Sequence, residues 1–251
     1  MAKRYELTDA QWERIADLVP GKVGDAGRTA ADNRLFVNGV LWVLRSGARW
    51  GDLPERYGKP KSVHKRFSRW AKTGVWERVF AVLAADRKNE HLMLDTTLVR
   101  AHQQAATGKG GPKTQALGRS RGGLTTKIHM LADALGRPLK AILTPGQAHD
   151  VVAVPALLDR VKGGSVIADK GYDTNEVRTI IAEAGMQAVI PSRRSRKTPI
   201  PHDPVLYKAR NRIERCFNKL KHFRRIATRY DRRDIHFLSF IHLASAMLWM
   251  R

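Results

Sequence analysis

Residues 91–99 read His-Leu-Met-Leu-Asp-Thr-Thr-Leu-Val, an apolar run with one carboxylate, Asp95, in its middle. A short apolar run of this kind predicts a strand. A charged aspartate inside it is costly unless it is paired, hydrogen-bonded or held by a cation. Working outward towards the C-terminus, residues 124–133 and 138–146 predict two more strands, joined where Gly136 suits a turn. Residues 151–161 predict a helix, 165–169 a short strand, 175–185 a helix and 187–192 a strand. Residues 205–226 then predict one long amphipathic helix, and 234–250 a final apolar one.

Three hairpin-linked strands followed by strand–helix alternation describe an α/β chain with a mixed sheet flanked by helices, in the ribonuclease H-like order. Upstream of residue 89 the pattern is helical. Thr8 is placed to N-cap a helix from Asp9 to about Val19, which Pro20 and Gly21 stop. Leu35, Val40, Leu41 and Leu44 recur at helical spacing before Gly47. Residues 61–74 put Val63, Phe67 and Trp70 on one side and Lys61, Lys65, Arg66, Arg69 and Lys72 over much of the rest. A helix, a turn and a basic helix suggest a small all-α helix-turn-helix-like domain, with the second helix in a major groove; the alternative is a helical bundle with a solvated basic face. The expected division is a helical DNA-binding domain over 1–88 and a catalytic domain over 89–251.

Charge points the same way. The chain carries 46 Lys and Arg against 23 Asp and Glu, a net +23. Such an excess repels itself unless an anionic partner offsets it, and nucleic acid is the obvious one. About half of it, +12, lies in residues 191–233. Arg193 and Arg194 open that stretch, and Arg212, Arg215 and Lys219 form a wholly basic stripe with Lys208 on the long helix. Residues 103–123 are rich in Gly, polar and cationic residues, which predicts a mobile DNA-contacting loop bearing Arg119 and Arg121, with Lys127 on the strand after it. Cys216 is the sole cysteine, so an intramolecular disulfide is excluded and a zinc cluster disfavoured. No signal-peptide core and no uncharged apolar run of ~18 residues is present, so a soluble intracellular protein without a membrane partner is expected.

Two further carboxylates stand beside Asp95. Asp169 follows Ser-Val-Ile-Ala at the end of a strand, where open α/β sheets place their ligands. Glu214 shares a stripe of the long helix with Tyr207, Arg210 and Lys221, whose offsets at ~100° per residue keep them within about 60°. Each aspartate alone also fits a strand-end cap or an ion pair, and Glu214, between Arg210 and Lys221, also fits an ion-paired surface residue. Asp173 competes with Asp169, and His102, His149 and Asp150 are possible neighbours, with Asp150 better placed as a helix cap. Cys216 falls on the core stripe, and Trp50 and Trp76 suit packing. Three carboxylates from separate elements can hold two Mg²⁺ ions ~3.5–4 Å apart for phosphodiester chemistry. Arg210 and Lys221 would then face phosphates, and Tyr207 a phosphate or a base.

These residues carry a family resemblance. Tyr207-x2-Arg210-x3-Glu214-x6-Lys221 resembles the Y-R-E-K signature of bacterial insertion-sequence transposases of the four/five superfamily. Asp95 in LDTTLVRAH and Asp169 in ADKGYD resemble its first two catalytic aspartate regions, and LTDAQWERIADLVP and GVLWVLRSGARWGDLP its family-five helical segment. The resemblance implies a DDE transposase with Asp95, Asp169 and Glu214 as metal-binding catalytic carboxylates assisted by Tyr207, Arg210 and Lys221. It implies two Mg²⁺ ions with Mn²⁺ as substitute, double-stranded DNA as element ends and target, strand cleavage and transfer, and a homo-oligomer on DNA at the bacterial nucleoid. Only 44 residues separate Asp169 from Glu214, which leaves no room for a large inserted β-domain, so a hairpin-ended cleavage is not carried over. Two rival readings remain: a metal-dependent nuclease that does not join strands, and a catalytically silent DNA-binding protein derived from a transposase.

Overall fold

The computed structural model describes residues 4–251 apart from residues 28, 89, 109, 110 and 112. Four helices come first: α1 (Asp9–Ala16), α2 (Asn33–Ser46), α3 (Pro60–Lys72) and α4 (Val75–Leu83). The sheet is built from β1 (His91–Ala101), β2 (Gly118–Ser120), β3 (Gly123–Ala132), β4 (Pro138–Pro145), β5 (Ser165–Ile167), β6 (Gln187–Val189) and β7 (Thr228–Arg229). Between and after the strands come α5 (Val154–Leu158), α6 (Asn175–Glu183), α7 (Pro204–Tyr207), α8 (Asn211–Lys221), α9 (Arg224–Ala227) and α10 (Asp234–Trp249).

The sheet is mixed, as its alternating pattern implies, and β1 is its axis. An antiparallel ladder runs from Met93↔Ala132 to Arg100↔Thr125 between β1 and β3. β4 and β2 share the far edge of β3 end to end. On its other edge β1 takes β5 in parallel at its start and β7 in parallel at its end, and β6 lies parallel to β5 beyond. Side chains alternate across the sheet. Leu92, Leu94, Val166 and Ala168 pack under α5 and α6. Met93, Val99, Ile128, Met130 and Ile167 join the other core with Ile213, Cys216 and Leu220 of α8.

The amino-terminal helices follow their sequence signals. Thr8 and Gln11 make a reciprocal capping box, Asp32 caps α2, and Gly47 closes it at φ 74°, a left-handed position that glycine adopts without steric cost. α4 goes unread in the sequence: Gly74 at φ 70° turns the chain and Val75, Trp76, Val79, Phe80 and Leu83 are buried. These helices share one continuous core with the carboxy-terminal segment. α3 and α4 pack on α10, and α2 on α9. Trp50 stacks on His64 and Phe240, and Trp76 lies among Phe36, Phe67 and Trp70, so both tryptophans do pack. α10 is buried nearly all round because it lies between sheet and helices.

Four expectations need correction. The helix expected over 205–226 is broken, because residues 208–210 tighten into a 3₁₀ turn and Phe223 leaves helical geometry at φ −81° and ψ 105°. That departure buries the Phe223 ring under the Arg45 guanidinium, 4.5 Å away. The helix expected over 151–161 is a 3₁₀ turn followed by α5 alone. Asp150 does not cap it with its side chain but pairs with Lys127 at 2.6 Å. In the stretch expected as a mobile loop, residues 109, 110 and 112 lie outside the described residues; the rest forms 3₁₀ turns at Gln103–Thr107 and Lys113–Gln115 and then β2. Arg229, fully buried, holds this stretch by donating to Thr126 Oγ1 at 2.6 Å and to the Ala116 carbonyl at 3.3 Å.

A second buried arginine ties the two ends of the chain together. Arg225 donates to both carboxylate oxygens of Asp231, at 3.2 and 3.0 Å, and to the Ala48 carbonyl at 2.9 Å. Removing one partner of a buried pair strands the other charge. Arg225→Met is therefore expected to lower stability by about 3–5 kcal/mol, measured by urea unfolding, and the Arg225→Met/Asp231→Leu double variant to recover much of that loss.

Candidate active site

Asp95 and Asp169 meet because of one pairing in the sheet. Met93 and Ile167 are register partners across the parallel β1–β5 ladder. Two residues further along each strand returns to the same face, so Asp95 and Asp169 emerge side by side on the face that α8 covers. β5 and β7 reach β1 only at its ends. The stretch between them carries Asp95 and Thr97 towards α8, which approaches it with Glu214 and Lys221, and with Arg210 on the 3₁₀ turn just before it.

Arg210 joins the three carboxylates. Its guanidinium stands 3.4 Å from Asp95 Oδ2, 3.9 Å from Asp169 Oδ2 and 2.5 Å from Glu214 Oε1. Lys221 Nζ donates to Thr97 Oγ1 at 2.7 Å. The Tyr207 ring is edge-on to His202, 5.5 Å between centroids. The structure thus brings together Asp95, Asp169, Glu214, Arg210 and Lys221, with Tyr207 on the preceding turn.

Burial differs sharply among the carboxylates: the side chains are 13% exposed at Asp95, 38% at Asp169 and 50% at Glu214. Burial pushes Asp95 up to about 6, against the Thr96 N–H and Arg210, while Asp169 and Glu214 add to the rise. Asp169 caps the 3₁₀ turn that follows it by accepting the Gly171 N–H at 2.7 Å. Burial also depresses Lys221, which eases release of its proton. Tyr172, unremarked in the sequence beyond its motif, is buried beneath this turn, and its hydroxyl is pushed up by burial and then by the charges of Asp150, Asp95 and Asp169.

Asp173 is enclosed by donors. Its buried carboxylate accepts from Arg178 Nε, Arg196 Nε and the Arg193 N–H, each at 2.8 Å. Burial raises its pKa, but these donors outweigh that and hold it at about 2. His102 begins the 103–107 turn, accepting the Gln104 N–H, and packs its ring against Tyr230. Cys216 is buried in the core against Met130, its thiol pushed up to about 12 by burial.

The residues expected to track phosphates separate into two groups. Lys61, Lys65, Arg69, Arg119, Arg121, Arg194 and Lys219 are exposed, as are Arg212 and Arg215, which bond the Ala134 carbonyl and Asn211. Arg66 instead turns inward over Phe36 and Trp70, 4.3 and 4.8 Å from their ring centroids, and donates to Asn33. Lys127 is taken up by Asp150 and the Ala148 carbonyl, and Arg193 by backbone carbonyls. A mostly apolar cleft of about 720 Å³, between β4, α4 and α10, lies away from the carboxylates.

The donor set suits a hard cation, since a single positive group already spans three carboxylates. Among the described residues no three His, Cys, Asp or Glu side chains stand close enough to hold a metal ion as they are. No helix is long and apolar enough to cross a membrane.

The mixed sheet and α8 thus gather acidic side chains from three elements around one guanidinium. Comparison with known sequences names the family. Residues 7–80 match a family described as "Putative transposase of IS4/5 family", and residues 86–249 match "Transposase DDE domain". The chain belongs to the DDE transposases of the IS4/5 kind. It is 47% identical over 113 residues to "Uncharacterized protein y4sN" of Sinorhizobium fredii, covering 44% of this chain and 90% of that one. It is 44% identical over 132 residues to "Putative transposase for insertion sequence element IS6501" of Brucella ovis, covering 51% and 100%. Among solved structures, a piggyBac transposase synaptic complex with hairpin DNA aligns at TM-score 0.36 and 14% identity over 80% of this chain and 40% of that one. A Mos1 mariner paired end complex with Mn aligns at TM-score 0.30 and 12% identity over 96% and 84%. Likenesses this distant carry no inference about the site.

The Asp95 pKa sets a sign for stability. An acid whose pKa is raised in the fold costs stability while ionised, fully above about 6 and not at all below its ordinary 3.8. Asp95→Asn is expected to stabilise the metal-free protein by about 2–3 kcal/mol above pH 7, with the gain vanishing as the pH falls towards 4. Thermal melts across that range check it, and a gain independent of pH would remove burial as its cause.

Proposed function

We propose that this transposase binds the terminal inverted repeats of an insertion sequence and catalyses metal-dependent cleavage and transfer of DNA strands on a ribonuclease H-like sheet. The observation that carries this reading is the convergence of Asp95, Asp169 and Glu214 on one guanidinium. The strand order β4-β3-β1-β5-β6, with β3 antiparallel to β1 and β5 and β6 parallel to it, supports the fold assignment. Residues 1–88 would serve as the DNA-binding part, with α3 as its groove-entering helix, and residues 89–251 as the catalytic part.

Asp95, Asp169 and Glu214 would hold two Mg²⁺ ions, or Mn²⁺ in their place. Bound there, such ions supply activation of a water or 3′-hydroxyl and stabilisation of the leaving oxygen. The protein's own residues orient the substrate. Arg210, once its carboxylates are neutralised otherwise, is free to donate to phosphate oxygens. Lys221, already held over Thr97, offers a second cation beside the strand. Tyr207, on the turn before Arg210, would hydrogen-bond a phosphate or stack on a base. Lys61, Lys65, Arg69, Arg119, Arg121, Arg194, Arg212, Arg215 and Lys219 would neutralise the flanking backbone, and joining two ends implies a homo-oligomer on DNA.

Purified protein with Mg²⁺ is expected to nick and join duplexes carrying the element's own ends, and to join pre-cleaved ends to a target. Nicking without joining would favour a nuclease, and neither would sink the enzymatic reading. Glu214→Gln should keep end binding within about threefold while cleavage falls by about 10³-fold or more. Loss of binding by a folded Glu214→Gln protein would overturn that assignment.

A further inference from the structure

The sequence pairs Arg193 with Arg194 on a phosphate-tracking surface, but the structure turns the Arg193 side chain inward. Its Nε donates to the Lys170 carbonyl at 2.9 Å, and its Nη2 donates to the carbonyl of Gly171. Its own N–H donates to Asp173 Oδ2 at 2.8 Å. Asp173 also accepts from Arg178 and Arg196. Arg178 in turn reaches the Ile190 carbonyl at 2.8 Å, and Arg196 reaches Asn175 Oδ1 at 2.9 Å. Three arginines thereby fasten the segment that leaves β6 to the turn that leaves β5.

That turn sets the Asp169 carboxylate. The β5–β6 ladder ends at Ile167↔Val189, with one further bond from the Ala168 N–H to the Val189 carbonyl at 3.3 Å. Asp169 therefore lies just past the end of the sheet. The Gly171 N–H fixes its Oδ1 at 2.7 Å, and a Cβ at residue 171 would stand 2.7 Å from the same oxygen. The peptide that carries this N–H has the Lys170 carbonyl at its other end, and that carbonyl accepts from Arg193 Nε, while the Gly171 carbonyl of the next peptide accepts from Nη2.

The geometry points to Arg193 as a positioning residue that aims the Asp169 carboxylate by clamping the Lys170–Gly171 peptide, and not as a phosphate contact. This rests on the reading of Asp169 as a cation-binding carboxylate. Two of the five guanidinium N–H groups are committed to carbonyls of the turn, a geometry a forked donor meets and an ammonium meets poorly.

Two measurements on the full chain separate the roles: Mn²⁺ affinity from the EPR signal of the free ion, and the salt dependence of binding to a duplex oligonucleotide. Arg193→Ala should weaken Mn²⁺ binding about tenfold and leave the salt slope unchanged. Arg193→Gln, which keeps an N–H donor without the charge, should recover part of that affinity. Arg194→Ala should do the reverse, with Mn²⁺ affinity intact and the slope reduced by about 1. Gly171→Ala, which leaves every charge in place, should also weaken Mn²⁺ binding, so the idea stays testable if Arg193→Ala does not fold. A reduced slope with unaltered Mn²⁺ affinity in Arg193→Ala overturns the positioning role. Asp169→Asn is the control. If it too leaves Mn²⁺ affinity unaltered, the reading of Asp169 fails and the positioning role with it. If only Asp169→Asn responds, the Arg193 role alone is lost.

Discussion

Met93 and Ile167 face one another in the parallel ladder between β1 and β5, only three residue pairs long. Because side chains in a strand repeat every two residues, this register sends Asp95 and Asp169 to the same face. A slip of one residue would carry Asp95 into the core under α5 and α6, where Leu92, Leu94 and Val166 are buried. The short ladder holds because β1 is anchored on its other edge by the long antiparallel pairing with β3. The strand with the longest pairing in the sheet thus carries the most buried of the three carboxylates around Arg210.

Three carboxylates gathered in one place repel, and burial deepens the cost. Arg210 answers this from within the chain. It lies one turn before Glu214, so the residue that needs neutralising and the residue that neutralises it arrive on the same helical stripe. Its reach to Asp95 and Asp169 follows from where α8 lies on the sheet, through Ile213, Cys216 and Leu220 in the core. The same contacts place Lys221 over Thr97.

The large positive charge does two kinds of work. Arg66, Arg193, Arg196, Arg225 and Arg229 are spent on rings, carbonyls and buried carboxylates. Arg194, Lys61, Lys65 and Arg69 remain at the surface. Arginine suits the inner role because one planar group can satisfy several acceptors at once. A net charge therefore overstates the number of groups free to meet phosphate.

What the sequence determined by itself were the elements whose signals are local: the apolar strands around Asp95 and before Asp169, the capping box at Thr8, the turn at Gly136, and the spacing of Arg210, Glu214 and Lys221. Order along the chain was enough to expect a mixed sheet with the carboxylates near one another. Tertiary structure decided the rest, because the deciding contacts join residues far apart in sequence. The break at Phe223 sets its ring under Arg45, and Arg229 of β7 reaches Ala116 and Thr126, all contacts between segments distant in sequence. Asp173 competes with Asp169 in the sequence, where only the adjoining apolar strand and the motif favour Asp169. One is enclosed by donors from Arg178, Arg193 and Arg196, and the other is left half open beside Arg210, a difference that exists only once the chain has folded.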